Sequence, residues 1–153
     1  MPWAQGGIAA ALHPDDTPAA HAVDTIAAGD GLVDPLIAQI LSEEGPGRVH
    51  DLAALGVPFD RKEDGSLYLS LEAAHSMPRV ARVKGDTAGR EIINVMVEKT
   101  QAADHVTGLI GWRAESLLSD GHGGIAGALA RNDDGSLLGI EADMTVLATG
   151  GVG

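Results

Sequence analysis

Four side chains able to hold a small polar molecule fall within eight residues of one stretch, "LEAAHSMPR": Glu72, His75, Ser76 and Arg79. A carboxylate, an imidazole and a guanidinium together can bind a charged substrate and move protons. On spacing alone the plainer reading, solvated polar groups at a strand-to-loop exit, is the stronger of the two. A second stretch offers backbone instead of side chains. "WAQGGIAAAL" opens the chain with two adjacent glycines, Gly6 and Gly7, leading into small apolar residues. Glycine lets main chain approach another group without a Cβ clash. A third stretch, "MTVLATGGVG", reads as a buried strand breaking into Thr-Gly-Gly, where a nucleotide can meet backbone beyond a strand end.

Other chemistries find little support. The six histidines, at 13, 21, 50, 75, 105 and 122, show no i, i+4 pair of the kind a helical metal site uses, so no metal is expected and most should lie at the surface. No Gly-x-Ser-x-Gly and no Gly-Lys-Ser/Thr is present. "GDTAGR" could present N–H groups to an anion at a helix start, although ordinary capping explains it as well. The chain has no cysteine, which removes disulfides, thiolate catalysis and cysteine-held metals. A net charge of -12 argues against a nucleic-acid partner. No apolar run reaches the roughly 18 residues of a membrane span, and no signal peptide opens the chain, so no membrane is expected and the location is read as cytoplasmic.

The elements that must position these residues can be read from local signals. The 153 residues are 44% hydrophobic with only four aromatics, so a core of Ala, Leu, Val and Ile in one domain is expected. Thr17 and Pro18 begin a helix that Gly29 and Gly31 end. Asp34-Pro35 starts a second, "LIAQILSEEG", and "GRVHDLAALG" reads as a third, stopped by Gly56. Asp64-Gly65 marks a hairpin turn, and "SLYLSLE" alternates as a strand. "KGDTAGREIINVMVEKTQ" is a helix capped at Asp86 or Thr87, with Ile92, Ile93, Met96 and Val97 on its buried face. The rest is strand-like, and "GGIAGALARN", "SLLGIEA" and "MTVLATGG" suggest an antiparallel meander.

In order along the chain, "WAQGGIAAAL", "HAVDTIAAGDGL", "ALGVPFDR", "LEAAHS", "GDTAGREI" and "VLATGG" resemble L-aspartate oxidase, the FAD enzyme of de novo NAD synthesis and a relative of the succinate dehydrogenase and fumarate reductase flavoproteins. The resemblance covers essentially all 153 residues. It implies an α/β fold: a partial, Rossmann-like FAD-binding domain over 1–153, with helices followed by a β-meander and a buried strand ending in ATGG. It implies FAD as cofactor, approached by Ala4, Gln5, Gly6 and Gly7, by Trp112 and Arg113 at the adenine end, and by Ala148, Thr149 and Gly150. It implies that Glu72 meets the amino group of L-aspartate, with His75 and Ser76 in support. A carboxylate there pairs with an ammonium and repels a third carboxylate, which separates aspartate from succinate. The reaction implied is oxidation of L-aspartate to iminoaspartate, with oxygen or fumarate as acceptor and quinolinate synthase as the enzyme downstream. Relative to the family, the Gly-x-Gly-x-x-Gly unit, the capping domain and the C-terminal helical domain are missing. The chain is therefore expected to be an internal fragment, marginally stable, inactive and poor at binding FAD by itself. The alternatives are a fragment of a fumarate reductase or succinate dehydrogenase flavoprotein, and a non-catalytic remnant domain.

Overall fold

The structure, a computed structural model, describes residues 4–150. Trp3 of the opening motif and Gly151 of the last one lie outside them. The chain divides into two compact units, one running to Val106 and one beginning at Thr107.

The first unit opens with β1 (Gly7–Ala9), followed by α1 (Pro18–Ala28) and α2 (Pro35–Leu55). Both helices start as their sequences dictate. The Thr17 side chain accepts from the Ala20 amide at 3.1 Å, and Asp34 accepts from Leu36 at 2.9 Å, each followed by a proline whose missing N–H costs nothing at that position. α2 ends at Gly56, which takes the left-handed conformation at φ 108°. The two helices expected between Asp34 and Gly56 are one. Gly45-Pro46-Gly47 does not break it, because Ala38, Ser42 and Val49 form one buried stripe that continues past the proline. Packing along that stripe outweighs one lost donor.

β2 (Leu69–Ser70) and β3 (Val80–Arg82) complete an antiparallel sheet in the order β1-β3-β2. Gly7 pairs with Arg82, Ala9 and Ser70 both with Val80. The hairpin turn at Asp64-Gly65 forms as expected. Gly65 has φ 83°, and the Ser66 amide and hydroxyl both donate to the Asp64 carboxylate. The strand after it is shorter than the alternation of "SLYLSLE" suggests. α3 (Ala88–Gln101) follows Thr87, whose hydroxyl donates back to the Val83 carbonyl instead of capping the helix. Its inner face is Ala88, Ile92 and Val95, while Met96 and Val97 are exposed. The expected stripe was rotated by about one position. The core joins Ala10, Val49, Val57, Phe59, Ala81, Val83 and Ala88.

The second unit is an antiparallel meander of β4 (Trp112–Ser119), β5 (Ile125–Asn132) and β6 (Leu137–Glu141), in that order. A meander was expected, but shifted by one element. "MTVLATGG" is not its last strand and is not buried: Met144, Val146 and Leu147 are 81%, 79% and 69% exposed. Apolar residues alone do not make a strand; an edge with free hydrogen-bonding groups must accept them. Both sheets are antiparallel, so among the described residues no parallel strand pair of a doubly wound sheet is formed. No helix among them is long and apolar enough to cross a membrane.

Candidate functional site

The loop from Leu71 to Pro78 connects β2 to β3 and carries Glu72 and His75. Its base is closed by the Arg79 amide donating to the Ser70 carbonyl at 3.2 Å. Inside it, the His75 amide donates to the Glu72 carbonyl at 3.2 Å, and Ala74 between them holds φ 71°, a conformation unusual for a residue with a Cβ. Glu72 is exposed. Its Oε1 accepts from the Ser70 hydroxyl at 3.4 Å and lies 3.8 Å from Nη2 of Arg82. Arg82 is also the backbone partner of Gly7. One residue of β3 thus connects the glycine strand on one side of the sheet with the carboxylate beyond the other.

The two glycines of the opening motif have different reasons to be glycine. A Cβ on Gly7 would lie 2.2 Å from the Ala81 carbonyl oxygen and 2.9 Å from Val80 Cγ1. The close approach at Gly7 is to β3 of the chain itself. Gly6 differs. Its φ is +71°, and a Cβ would meet nothing within 4 Å. Ala4 and Gln5 beside it are exposed, and the Ala4 carbonyl accepts from the Gly89 amide at 3.0 Å, which anchors the segment to the start of α3. An anchored, open, left-handed glycine with exposed neighbours fits the approach of a flat ring to main chain.

Arg79 is not free to bind a substrate. It is fully buried, and its guanidinium donates through Nε to Asp16 Oδ2 at 2.6 Å and through Nη2 to Asp16 Oδ1 at 2.8 Å. Nη1 donates to Asp24 Oδ2. The Ser76 amide and hydroxyl both donate to that same oxygen, each at 2.7 Å. The bidentate bond to Arg79 lowers the pKa of Asp16 against the opposing effect of burial. The Ser76 amide, then its hydroxyl, then Arg79 hold Asp24 well below the usual carboxylate range. Arg79 is raised in turn, first by Asp16.

His75 stacks its ring at a tilt against His21, centroids 5.5 Å apart, and Nδ1 of each is buried with no hydrogen-bond partner. His21 is itself buried, an exception to the expectation that most of the histidines lie at the surface. Burial lowers its pKa, helped by the neighbouring Arg79 and His75. Asp16, His21, Asp24 and Arg82 were missed as site residues. His21 and Asp24 stand three apart on α1 and share a face, which was the available signal.

The remaining candidates belong to the second unit. Trp112, half-buried, and Arg113, exposed, open β4 opposite Asn132 and Arg131. Ala148, Thr149 and Gly150 are exposed and outside any strand, with Gly150 at φ 81° and open space where a Cβ would stand.

Comparison with known proteins bears on this arrangement. A family model described as "FAD binding domain" matches residues 1–153. An L-aspartate oxidase of Caulobacter vibrioides is 54% identical over 99% of this chain, and one of Mesorhizobium japonicum is 41% identical over 98%. The chain spans only 29% of the length of each. Among solved structures, Mycobacterium smegmatis Sdh1 superposes with a TM-score of 0.88 at 32% identity, over 99% of this chain and 28% of that one. An E. coli quinol fumarate reductase superposes at 0.87 with 26% identity, over 98% of this chain and 26% of that one.

Proposed function

The chain belongs to the FAD binding domain family, and from that premise we propose that it forms part of the FAD-binding domain of an L-aspartate oxidase. The placement of Glu72 carries this reading: an exposed carboxylate, connected through Arg82 to the strand that begins at Gly7. In this reading Ala4, Gln5, Gly6 and Gly7 lie along the flavin, and Gly7 also keeps their strand against β3. Trp112, Arg113, Ala148, Thr149 and Gly150 meet the rest of the dinucleotide. When bound, FAD supplies the acceptor for the hydride that leaves Cα of L-aspartate, with oxygen or fumarate as the terminal acceptor.

The residues of this chain bind and orient. The Glu72 carboxylate accepts from the substrate ammonium, and its negative charge opposes any ligand with a carboxylate at that position. The Ser70 hydroxyl donates to Glu72 at 3.4 Å, and Arg82, whose Nη2 donates to Asp86 at 3.0 Å, adds its positive charge 3.8 Å away. His75, one hydrogen bond along the loop, supports the same end of the substrate. The product is iminoaspartate, which an enzyme of the quinolinate synthase type would consume.

A dicarboxylate-handling relative is the second reading, favoured by the superpositions on Sdh1 and the fumarate reductase. Glu72→Gln in the full-length FAD-loaded protein separates the two. It keeps size and shape but removes the charge that pairs with an ammonium. Aspartate oxidation is expected to lose about tenfold or more in kcat/KM, the size of one hydrogen bond to a charged group. Fumarate reduction should be spared. Equal loss of both activities, or loss of neither, overturns the aspartate reading.

A further inference from the structure

The loop that presents Glu72 and His75 is held at two places, and they do different work. Its base is fixed by the sheet, where Arg79 donates to Ser70. Its far side is fixed by one atom of α1. Three donors converge on Oδ2 of Asp24: the Ser76 amide, the Ser76 hydroxyl and Nη1 of Arg79. Arg79 already has a bidentate partner in Asp16. That pair ties the segment before α1 to the start of β3 without help from Asp24. What Asp24 adds is a grip on Ser76, the residue after His75 and four after Glu72.

Resting on the reading of Glu72 given above, we infer that Asp24 is a positioning residue for substrate recognition: by holding Ser76 it sets where the loop places Glu72 and His75. The route is short and continuous. Asp24 holds the Ser76 amide, His75 precedes it, and the His75 amide closes on the Glu72 carbonyl. Bonds to a charged acceptor are stronger than neutral ones, so the loop's far side is fixed more firmly than a surface turn. Asp24 touches neither substrate nor flavin in this scheme and acts through the loop alone.

The test uses the full-length protein loaded with FAD, comparing Asp24→Ala, Asp24→Asn and Ser76→Ala. Asp24→Ala is expected to raise KM for L-aspartate about tenfold with a smaller change in kcat. Amide hydrogen exchange at His75 and Ser76 should quicken while the amides of α3 and the β1–β3 pairs keep their protection. Asp24→Asn retains an acceptor oxygen and should recover part of both effects. Ser76→Ala, which leaves the Arg79 ion pairs in place, should show a smaller rise in KM and serves if Asp24→Ala does not fold. In a Glu72→Gln background Asp24→Ala should raise KM further by much less than tenfold, because both act on one contact.

A structural role alone predicts parallel loss of flavin content and kcat, protection lost throughout the sheet, and additivity with Glu72→Gln; that pattern overturns the inference. So does unchanged exchange at Ser76 in both Asp24 variants. If Glu72→Gln alone leaves aspartate KM unchanged, the reading of Glu72 fails first, whatever Asp24 does to the loop.

Discussion

In the first unit the turn Asp64-Gly65-Ser66 closes a hairpin whose strands run onto a buried core. In the second, Asp134-Gly135-Ser136 closes a hairpin in the same way. The serine amide and hydroxyl again donate to the aspartate, and the glycine again has positive φ, 88° against 83°. The turns agree; the interiors do not. The first unit buries Val49, Val57, Phe59 and Val83 between helices and sheet and sets a buried arginine between two carboxylates. In the second, Gly127 and Ala130 are the buried positions among the described residues, and Leu137, Met144, Val146 and Leu147 are exposed. Local chemistry can fold a hairpin anywhere, but only tertiary burial makes an element cooperative with its neighbours.

That contrast can be broken most directly at Arg79. Arg79→Ala leaves Asp16 and Asp24 without their counter-ion. It is expected to destabilise the first unit by ~3 kcal/mol, read from urea unfolding, while exchange in β4–β6 is unchanged. If the two units lose protection together, the contrast between them fails. A matched pair of glycine substitutions comes next. Gly7→Ala places a methyl 2.2 Å from the Ala81 carbonyl oxygen, and Gly127→Ala places one 1.9 Å from that of Ile140. The first should cost about 2 kcal/mol and loosen the whole core around β3. The second should open only the β5–β6 pairing, since little is packed behind it. Hydrogen exchange at Ala10 and Val83 distinguishes them.

The smallest effect is the dependence on pH. Asp16 and Asp24 titrate below their ordinary 3.8 and His21 below its ordinary 6.5 in the folded chain. In each case the unfolded chain binds the proton more readily, so stability falls as pH falls. The His21 contribution is complete above pH 6.5 and is lost as acid takes the medium through 6.5 toward the folded value. The carboxylate contribution is complete above about pH 4 and is lost below it. A His21→Gln variant should flatten the unfolding midpoint between pH 7 and 5 and leave the steeper acid limb. An unchanged slope in that variant would remove His21 from the account.

What could be read in the sequence was what is local. Thr17-Pro18, Asp34-Pro35 and Asp64-Gly65 carry their own instructions within four residues, and each formed as read. Gly45-Pro46-Gly47 carries the same kind of instruction and was overruled, because the stripe through Ala38, Ser42 and Val49 lies on both sides of it. The run from Met144 to Leu147 has strand residues but no strand, since pairing depends on an edge outside it. Glu72 and His75 stood out because they are close in sequence and match a family motif, and the structure places them on one loop. Asp16 did not stand out, because its partner Arg79 lies 63 residues away, and Asp24, 55 residues from Arg79, offered only its spacing of three from His21 on one helix face. Nothing in the neighbourhood of an aspartate announces so distant an arginine.

Ala74 has a consequence of its own. At φ 71° it sits in a conformation that costs an alanine about 1 kcal/mol and a glycine almost nothing. The methyl group therefore disfavours the very conformation in which it sits, and the loop must be held there from outside the residue. The bonds that do so are Arg79 to Ser70 at the base, His75 to Glu72 within, and Ser76 to Asp24 on the far side. Ala74 is thus a small strain that those bonds carry, and Ala74→Gly would relieve it while widening the range of shapes open to the loop.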